Sequence, residues 1–120
     1  MKKKNYKQNT DKQKLEIIPK IEKYTQYMIE TIMKLPRTEK FNIGNEYKNS
    51  MYKTISNLMY LNKIKENNSC LYCLNCIDAE INTQRIYLRI MHKNKWIDDK
   101  KLNVAMGQIY EIGKITRRIS

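Results

Sequence analysis

The sequence predicts an all-α protein, an antiparallel up-down-up-down four-helix bundle. Three observations carry this. Apolar residues recur in four rows with the three- and four-residue steps of a helix. Proline, cap and turn signals separate those rows. With 3 glycines and 2 prolines in 120 residues, the chain lacks the turn chemistry of a sandwich or barrel.

Helix one is expected near 18–36. Pro19 suits a first helical turn, where its missing N–H is not needed, with Leu15, Glu16 and Ile17 as an extended lead. Its row is Ile17, Ile21, Tyr24, Met28, Ile32 and Leu35. Pro36 stops it, because the residue before a proline avoids helical geometry. Helix two is expected near 39–66, with Thr38 as N-cap and Glu39 in the first turn, where negative charge is favoured. Its row is Ile43, Tyr47, Met51, Ile55 and Leu58. Gly44 sits inside this pattern at a cost of about 1 kcal/mol relative to alanine, so a close approach is expected there.

Asn67-Asn68-Ser69 reads as a turn and cap before helix three, near 69–93, with row Cys70, Leu74, Ile77, Ile81, Arg85, Leu88 and Met91. Asn94-Lys95-Trp96-Ile97 breaks the pattern. Asp98 then caps helix four, near 98–119, with row Leu102, Ala105, Ile109, Ile112, Thr116 and Ile119. Short connections between long helices favour antiparallel neighbours.

Charge speaks to partners rather than fold. Lysine and arginine number 24 against 12 acidic residues, a net +12. Nucleic acid or an anionic membrane surface would answer such a balance. The abundance of Asn, Ile and Tyr points to an AT-rich coding sequence, which accounts for part of the lysine. Residues 1–14 alone carry +5 and read as a flexible basic arm preceding a bundle over 15–120. No apolar stretch follows the arm to complete a signal peptide. No run approaches the roughly 18 apolar residues of a membrane span. A cytoplasmic protein is expected.

Catalytic chemistry finds no support. Cys70, Cys73 and Cys76 at three-residue spacing could line one helical face, with His92 as a fourth metal ligand. Zinc usually draws its ligands from two separate elements, and His92 lies far along the same helix. Free thiols in a reducing compartment are the favoured reading, so no metal or cofactor is expected. His92, the sole histidine, has no serine or cysteine placed to make a nucleophile pair. Asp98 and Asp99 are helix-start residues rather than a carboxylate pair, and no glycine-rich loop cradles phosphate.

The cations are more informative. Arg85, Arg89 and Lys93 step by four along helix three and form one stripe. Lys114, Arg117 and Arg118 end helix four, and helix one adds Lys20 and Lys23. These residues are either a nucleic-acid surface or a solvated face with cations near helix C-termini. Arg85 falls in the apolar row, which admits an internal ion pair, for instance with Glu111, in place of ligand contact. Trp96 and Tyr110 could stack on bases, although Trp96 more naturally plugs the bundle end. Tyr52, Tyr60, Tyr72 and Tyr87 lie off the rows and suggest a contact surface, either an oligomer seam or a nucleic-acid platform.

Three stretches carry a family resemblance. Leu35-Pro36-Arg37-Thr38-Glu39-Lys40-Phe41-Asn42-Ile43-Gly44 resembles the "F/L-P-K/R-S/T-x-x-F/Y-x-L-G" opening of helix two in a four-helix-bundle family. Arg85-Ile86-Tyr87-Leu88-Arg89-Ile90, continuing to Trp96-Ile97-Asp98, is similar to its helix three and the following turn. Glu111-Ile112-Gly113-Lys114 is similar to its "E-I-G-R/K" in helix four. The family includes the accessory variability determinant (Avd) proteins of diversity-generating retroelements and the proteins encoded in intervening sequences of bacterial 23S ribosomal RNA genes. The second branch commonly has "A-N-I-A-E-G" late in helix two. Here Ser56-Asn57-Leu58-Met59-Tyr60-Leu61 stands instead, which favours the retroelement branch.

That resemblance, spanning roughly residues 17–120, implies a ring-shaped homopentamer. It implies a non-catalytic protein that binds reverse transcriptase and template RNA or DNA during mutagenic cDNA synthesis. The matching basic positions are Arg85, Arg89, Lys114, Arg117 and Arg118. The Cys-rich turn has no counterpart in it. A ribosomal-RNA-associated relative and a structural oligomer with an incidental basic surface are the competing readings.

Overall fold

The computed structural model describes the backbone of residues 2–64 and 67–119 and the side chains of residues 15–64 and 69–119. Four long helices and one single turn account for nearly all of it: α1 (Lys2–Met33), α2 (Arg37–Lys40), α3 (Ile43–Lys63), α4 (Asn67–Lys93) and α5 (Asp99–Ile119). No strand occurs among the described residues. The molecule is an all-α four-helix bundle.

The first row lies wholly inside: Ile17, Ile21, Tyr24, Met28, Ile32 and Leu35 are all buried. Helix one nevertheless begins at Lys2 rather than near Ile18, and Pro19 lies within it. Leu15, Glu16 and Ile17 are therefore helical, not an extended lead. An internal proline forfeits one backbone hydrogen bond. The compensation is Ile17, one helical turn before Ile21, which reaches the core only if the chain is already helical there. The side chains of the expected basic arm, residues 1–14, lie outside the described residues.

The opening of helix two also departs from expectation. Pro36 has φ −51° and ψ 143°, and its carbonyl accepts from the amides of Glu39 (2.8 Å) and Lys40 (3.0 Å). This closes α2 as a separate turn, with Thr38 inside it rather than capping it. The chain steps through Phe41 and Asn42 before α3 starts at Ile43. The step brings the Glu39 carbonyl against Gly44. A Cβ there would stand 2.8 Å from Ile32 Cγ2 and 3.2 Å from Glu39 O, so the close approach expected at this glycine is real. Helix α3 ends at Lys63, short of the expected Glu66, with residues 65 and 66 outside the described residues. Helix α4 starts at Asn67, which puts Ser69 in its first turn rather than at its cap.

Along α3 the buried positions are Gly44, Tyr47, Ser50, Met51, Thr54, Leu58 and Leu61, with Ile55 half-buried. Along α4 they are Cys73, Ile77, Ile81, Gln84, Leu88 and Met91, with Arg85, Cys70 and Leu74 half-buried. In α5 the row Ala105, Ile109, Ile112, Thr116 and Ile119 is buried as expected, with Leu102 half-buried.

A polar layer crosses this core. Tyr24 Oη donates to Gln84 Oε1 (2.6 Å), which leaves Tyr47 Oη as donor to Tyr24 Oη (2.5 Å). Gln84 Nε2 donates to Ser50 Oγ (2.9 Å) and Thr54 Oγ1 (3.0 Å). Ser50 Oγ in turn donates to Glu80 Oε1 (2.8 Å), and Thr54 Oγ1 to Ser50 O (2.9 Å). Every side-chain donor in this layer is used, as buried polar groups require. One set of bonds thus ties α1, α3 and α4 together.

Candidate nucleic-acid interface

The expected cations do not converge on one spot. Arg89 and Lys93 are exposed on α4, and Lys114, Arg117 and Arg118 are exposed on α5. Lys93 ends α4 beside the turn into α5. Lys114 lies fifteen residues beyond Asp99, about 22 Å down the α5 axis at 1.5 Å per residue. Two clusters result, each at the C-terminal end of its helix, where cations also complement the backbone dipole.

Two of the six arginine and lysine positions are engaged within the chain. Arg85 is half-buried, and its Nη1 donates to Asn82 Oδ1 (2.7 Å). The ion pair anticipated with Glu111 does not form. Arg85 sits beside, not on, the inward line that Gln84 occupies. Glu111 instead faces Lys20 at 3.7 Å, and Lys20 also stands 4.0 Å from Glu16. Arg117 lies back along α5, its Nη2 3.7 Å from where a Gly113 Cβ would be, and it has an interaction partner of its own. Arg89, Lys93, Lys114 and Arg118 have no ion-pair partner among the described residues.

The turn from α4 to α5 brings a further set of groups together. Lys95 N–H donates to His92 O and Trp96 N–H to Met91 O, both at 2.9 Å. This paired arrangement ends a helix through a left-handed residue. That residue is Lys95, at φ 64°, the one non-glycine residue with positive φ among those described. Glycine is the usual occupant of such a position. Asp98 is the expected cap: its Oδ1 accepts from Lys101 N–H at 2.8 Å. His92 is half-buried and bonded through Nε2 to Asp99 Oδ1 at 2.5 Å, so it is tied down rather than merely solvated. Around them opens a cavity of about 750 Å³ whose lining includes Lys93, Lys95, Lys101 and Trp96. Trp96 is half-buried with one side packed on the core, as expected of a plug, and the other on this cavity. The signal available in sequence was the absence of glycine from the Asn94–Ile97 break.

The aromatics divide. Tyr52, Tyr60, Tyr72 and Tyr110 are exposed, together with Ile86 and Ile90 on α4. Tyr87, expected at the surface, is half-buried and packs on Tyr47 with ring centroids 6.2 Å apart. The three cysteines are free thiols. Cys73 is buried, its Sγ donates to Asn57 O at 3.0 Å, and burial pushes its thiol above the ordinary range. No helix among the described residues is long and apolar enough to cross a membrane.

The chain matches no curated protein and no solved structure at a significant level. A family model described as bAvd-like matches residues 15–118, from the last turns of α1 before Pro19 to the end of α5. The match spans all four long helices and the turns between them, and with it the chain belongs to the bAvd-like family.

Proposed function

We propose that this chain is the non-catalytic accessory protein of a diversity-generating retroelement. It binds reverse transcriptase and template RNA or DNA through its basic surface, in the cytoplasm, and supports mutagenic cDNA synthesis. The observation that carries the reading is the set Arg89, Lys93, Lys114 and Arg118 on a bAvd-like bundle, exposed and without ion-pair partners among the described residues. Cations left uncompensated at a surface release counterions when phosphates dock, which is the main source of nucleic-acid affinity.

The bundle in this reading is antiparallel, up-down-up-down. The pairing of Tyr47 with Tyr87, Ser50 with Glu80 and Asn57 with Cys73 supports that direction for α3 and α4, since one number rises as the other falls. Exposed Tyr52 and Tyr60 on α3 and Ile86 and Ile90 on α4 support self-association, and the ring-shaped homopentamer is the form that the family resemblance implies.

The test is a salt titration of RNA and DNA binding for the wild type and Arg89→Glu/Lys93→Glu. Each lost phosphate contact should reduce the log–log slope by about 0.7 to 0.9, so the pair should flatten it by about 1.4 to 1.8. Helicity by circular dichroism should not change. Arg85 is left intact because its bond to Asn82 would confound the result. Equal affinities and slopes would favour a structural oligomer with an incidental basic surface.

A further inference from the structure

We infer that the cavity at the α4–α5 turn holds single-stranded nucleic acid, one base stacked on Trp96 and flanking phosphates held by Lys93, Lys95 and Lys101. This rests on the nucleic-acid reading above and gives it a site that the stripe on α4 does not.

Four observations carry it. The three lysines line one cavity, and none has an ion-pair partner among the described residues. The two carboxylates beside them are already committed, Asp98 to the Lys101 amide and Asp99 to His92. Each carboxylate has one oxygen so engaged, and Lys93 and Lys95 are exposed with Lys101 half-buried. The third observation is Lys95 itself. At φ 64° the backbone would take glycine without strain, yet the chain places a lysine there. Strained backbone positions cluster at functional sites. Lastly, the Trp96 backbone amide donates to Met91 O (2.9 Å), which fixes the main chain there, and the side chain packs on the core. An indole with one side on a cationic cavity offers a base a stacking surface that does not depend on sequence. The volume, about 750 Å³, falls within the range of small-ligand sites. A single strand is the fitting occupant because its bases are free to leave their own stack; those of a duplex are not.

Trp96 is the only tryptophan in the chain, so its emission reports on this turn alone. The experiment uses the full chain and a single-stranded RNA of about 12 nucleotides, followed by Trp96 fluorescence and, with an end-labelled copy, by anisotropy. The variant is Lys95→Gly/Lys101→Gln. It removes two cations and relieves the left-handed strain. Expected for the wild type is saturable quenching of Trp96 at the concentration where anisotropy rises, and no quenching by a duplex of equal length. The variant should lose about 1.4 in salt slope, which is about 25-fold in affinity at 0.1 M relative to 1 M salt. Its melting temperature should be no lower than that of the wild type, which separates lost binding from lost folding.

If the single strand binds by anisotropy while Trp96 emission and the variant's affinity are unchanged, the site lies elsewhere and the inference falls, with the nucleic-acid reading intact. Quenching without loss of affinity in the variant also overturns it, because the lysines are then not holding phosphate. Quenching by the duplex removes the stacking. Absence of binding to either strand form overturns this inference and the reading on which it rests.

Discussion

The polar layer through the core makes a quantitative demand on two tyrosines. Tyr24 and Tyr47 are 1% and 0% exposed, and their hydroxyls touch at 2.5 Å. Their roles differ because the chain of donors has a direction. Tyr47 begins it. Tyr24 stands in the middle, accepting from Tyr47 and donating to Gln84 Oε1. Tyr47→Phe removes one donor, and Tyr24 still donates to Gln84, so the expected cost is one net hydrogen bond, about 1 kcal/mol. Tyr24→Phe strands two buried groups, the Tyr47 hydroxyl and Gln84 Oε1. At about 1–3 kcal/mol for each unsatisfied group, the expected cost is about 2–6 kcal/mol. The double variant strands only Gln84 Oε1, so it should cost less than the two single changes added together, by at least about 1 kcal/mol. Urea unfolding followed by circular dichroism reads all four proteins, and an unchanged m-value keeps the comparison valid. Equal costs for the two single variants, or strict additivity, would refute the direction assigned to the chain.

Two further outcomes are expected. Gly44→Ala should destabilise by about 1–3 kcal/mol through overpacking against Ile32 and the Glu39 carbonyl. Gly107→Ala, exposed within α5 with nothing within 4 Å of the added Cβ, should stabilise by about 1 kcal/mol; thermal melts showing the reverse order would contradict the packing at α2–α3. Burial, and for Tyr24 also the neighbouring Tyr47 charge, holds both tyrosine hydroxyls above their ordinary value of 10.0. The folded chain therefore keeps protons that the unfolded chain sheds, so this stability is complete below that value and falls as pH rises through it. Urea midpoints between about pH 9 and 11 should drop more for the wild type than for Tyr24→Phe/Tyr47→Phe, and parallel curves would dismiss the effect.

The rows of α1 and α5 were legible because nearly every inward position there is apolar. The expected rows of α3 and α4 include half-buried positions, Ile43 and Ile55 in α3 and Cys70, Leu74 and Arg85 in α4, and two of these share one reason. After Cys73 the buried positions of α4 advance 77, 81, 84, 88, 91, and α3 holds a matching series 47, 51, 54, 58, 61, with Gly44 and Ser50 also buried. Both alternate steps of four and three, the phase of helices packed side by side. At the third place of each series stands a polar residue, Gln84 and Thr54. Reading by apolarity moved the α3 row to Ile55, and stepping by four moved the α4 row to Arg85. Phase was the better guide than side-chain type. The two misplaced residues are the pair whose bond joins α3 to α4 in the polar layer. The start of α1 failed differently. Proline was weighed as a helix opener, when the burial of Ile17 required the helix to run through it.

Charge alone could not rank the cations, because a net +12 leaves many of them on every face. What distinguishes them is how each is engaged. Arg85 bonds Asn82, Lys20 faces Glu16 and Glu111, and Arg117 has its own partner, so a positive side chain in the sequence is not a positive charge open to a ligand. The lysines of the α4–α5 turn stand out by the opposite logic. Their acidic neighbours are occupied by an amide and by His92, and one of the three sits where glycine would be less strained. Neither fact is visible in the string Lys93-Asn94-Lys95-Trp96-Ile97-Asp98-Asp99, whose two lysines and two aspartates balance on paper. Folding engages them differently: one oxygen of each carboxylate bonds the start of α5 or the end of α4, while the three lysines on the same cavity form no ion pair among the described residues. A helix dipole favours cations at the ends of α4 and α5 by only about 0.3–1 kcal/mol each. That accounts for Lys93 and Arg118 at their positions, but it gives no reason for Lys95, which lies beyond the helix in a conformation that a lysine adopts at a cost.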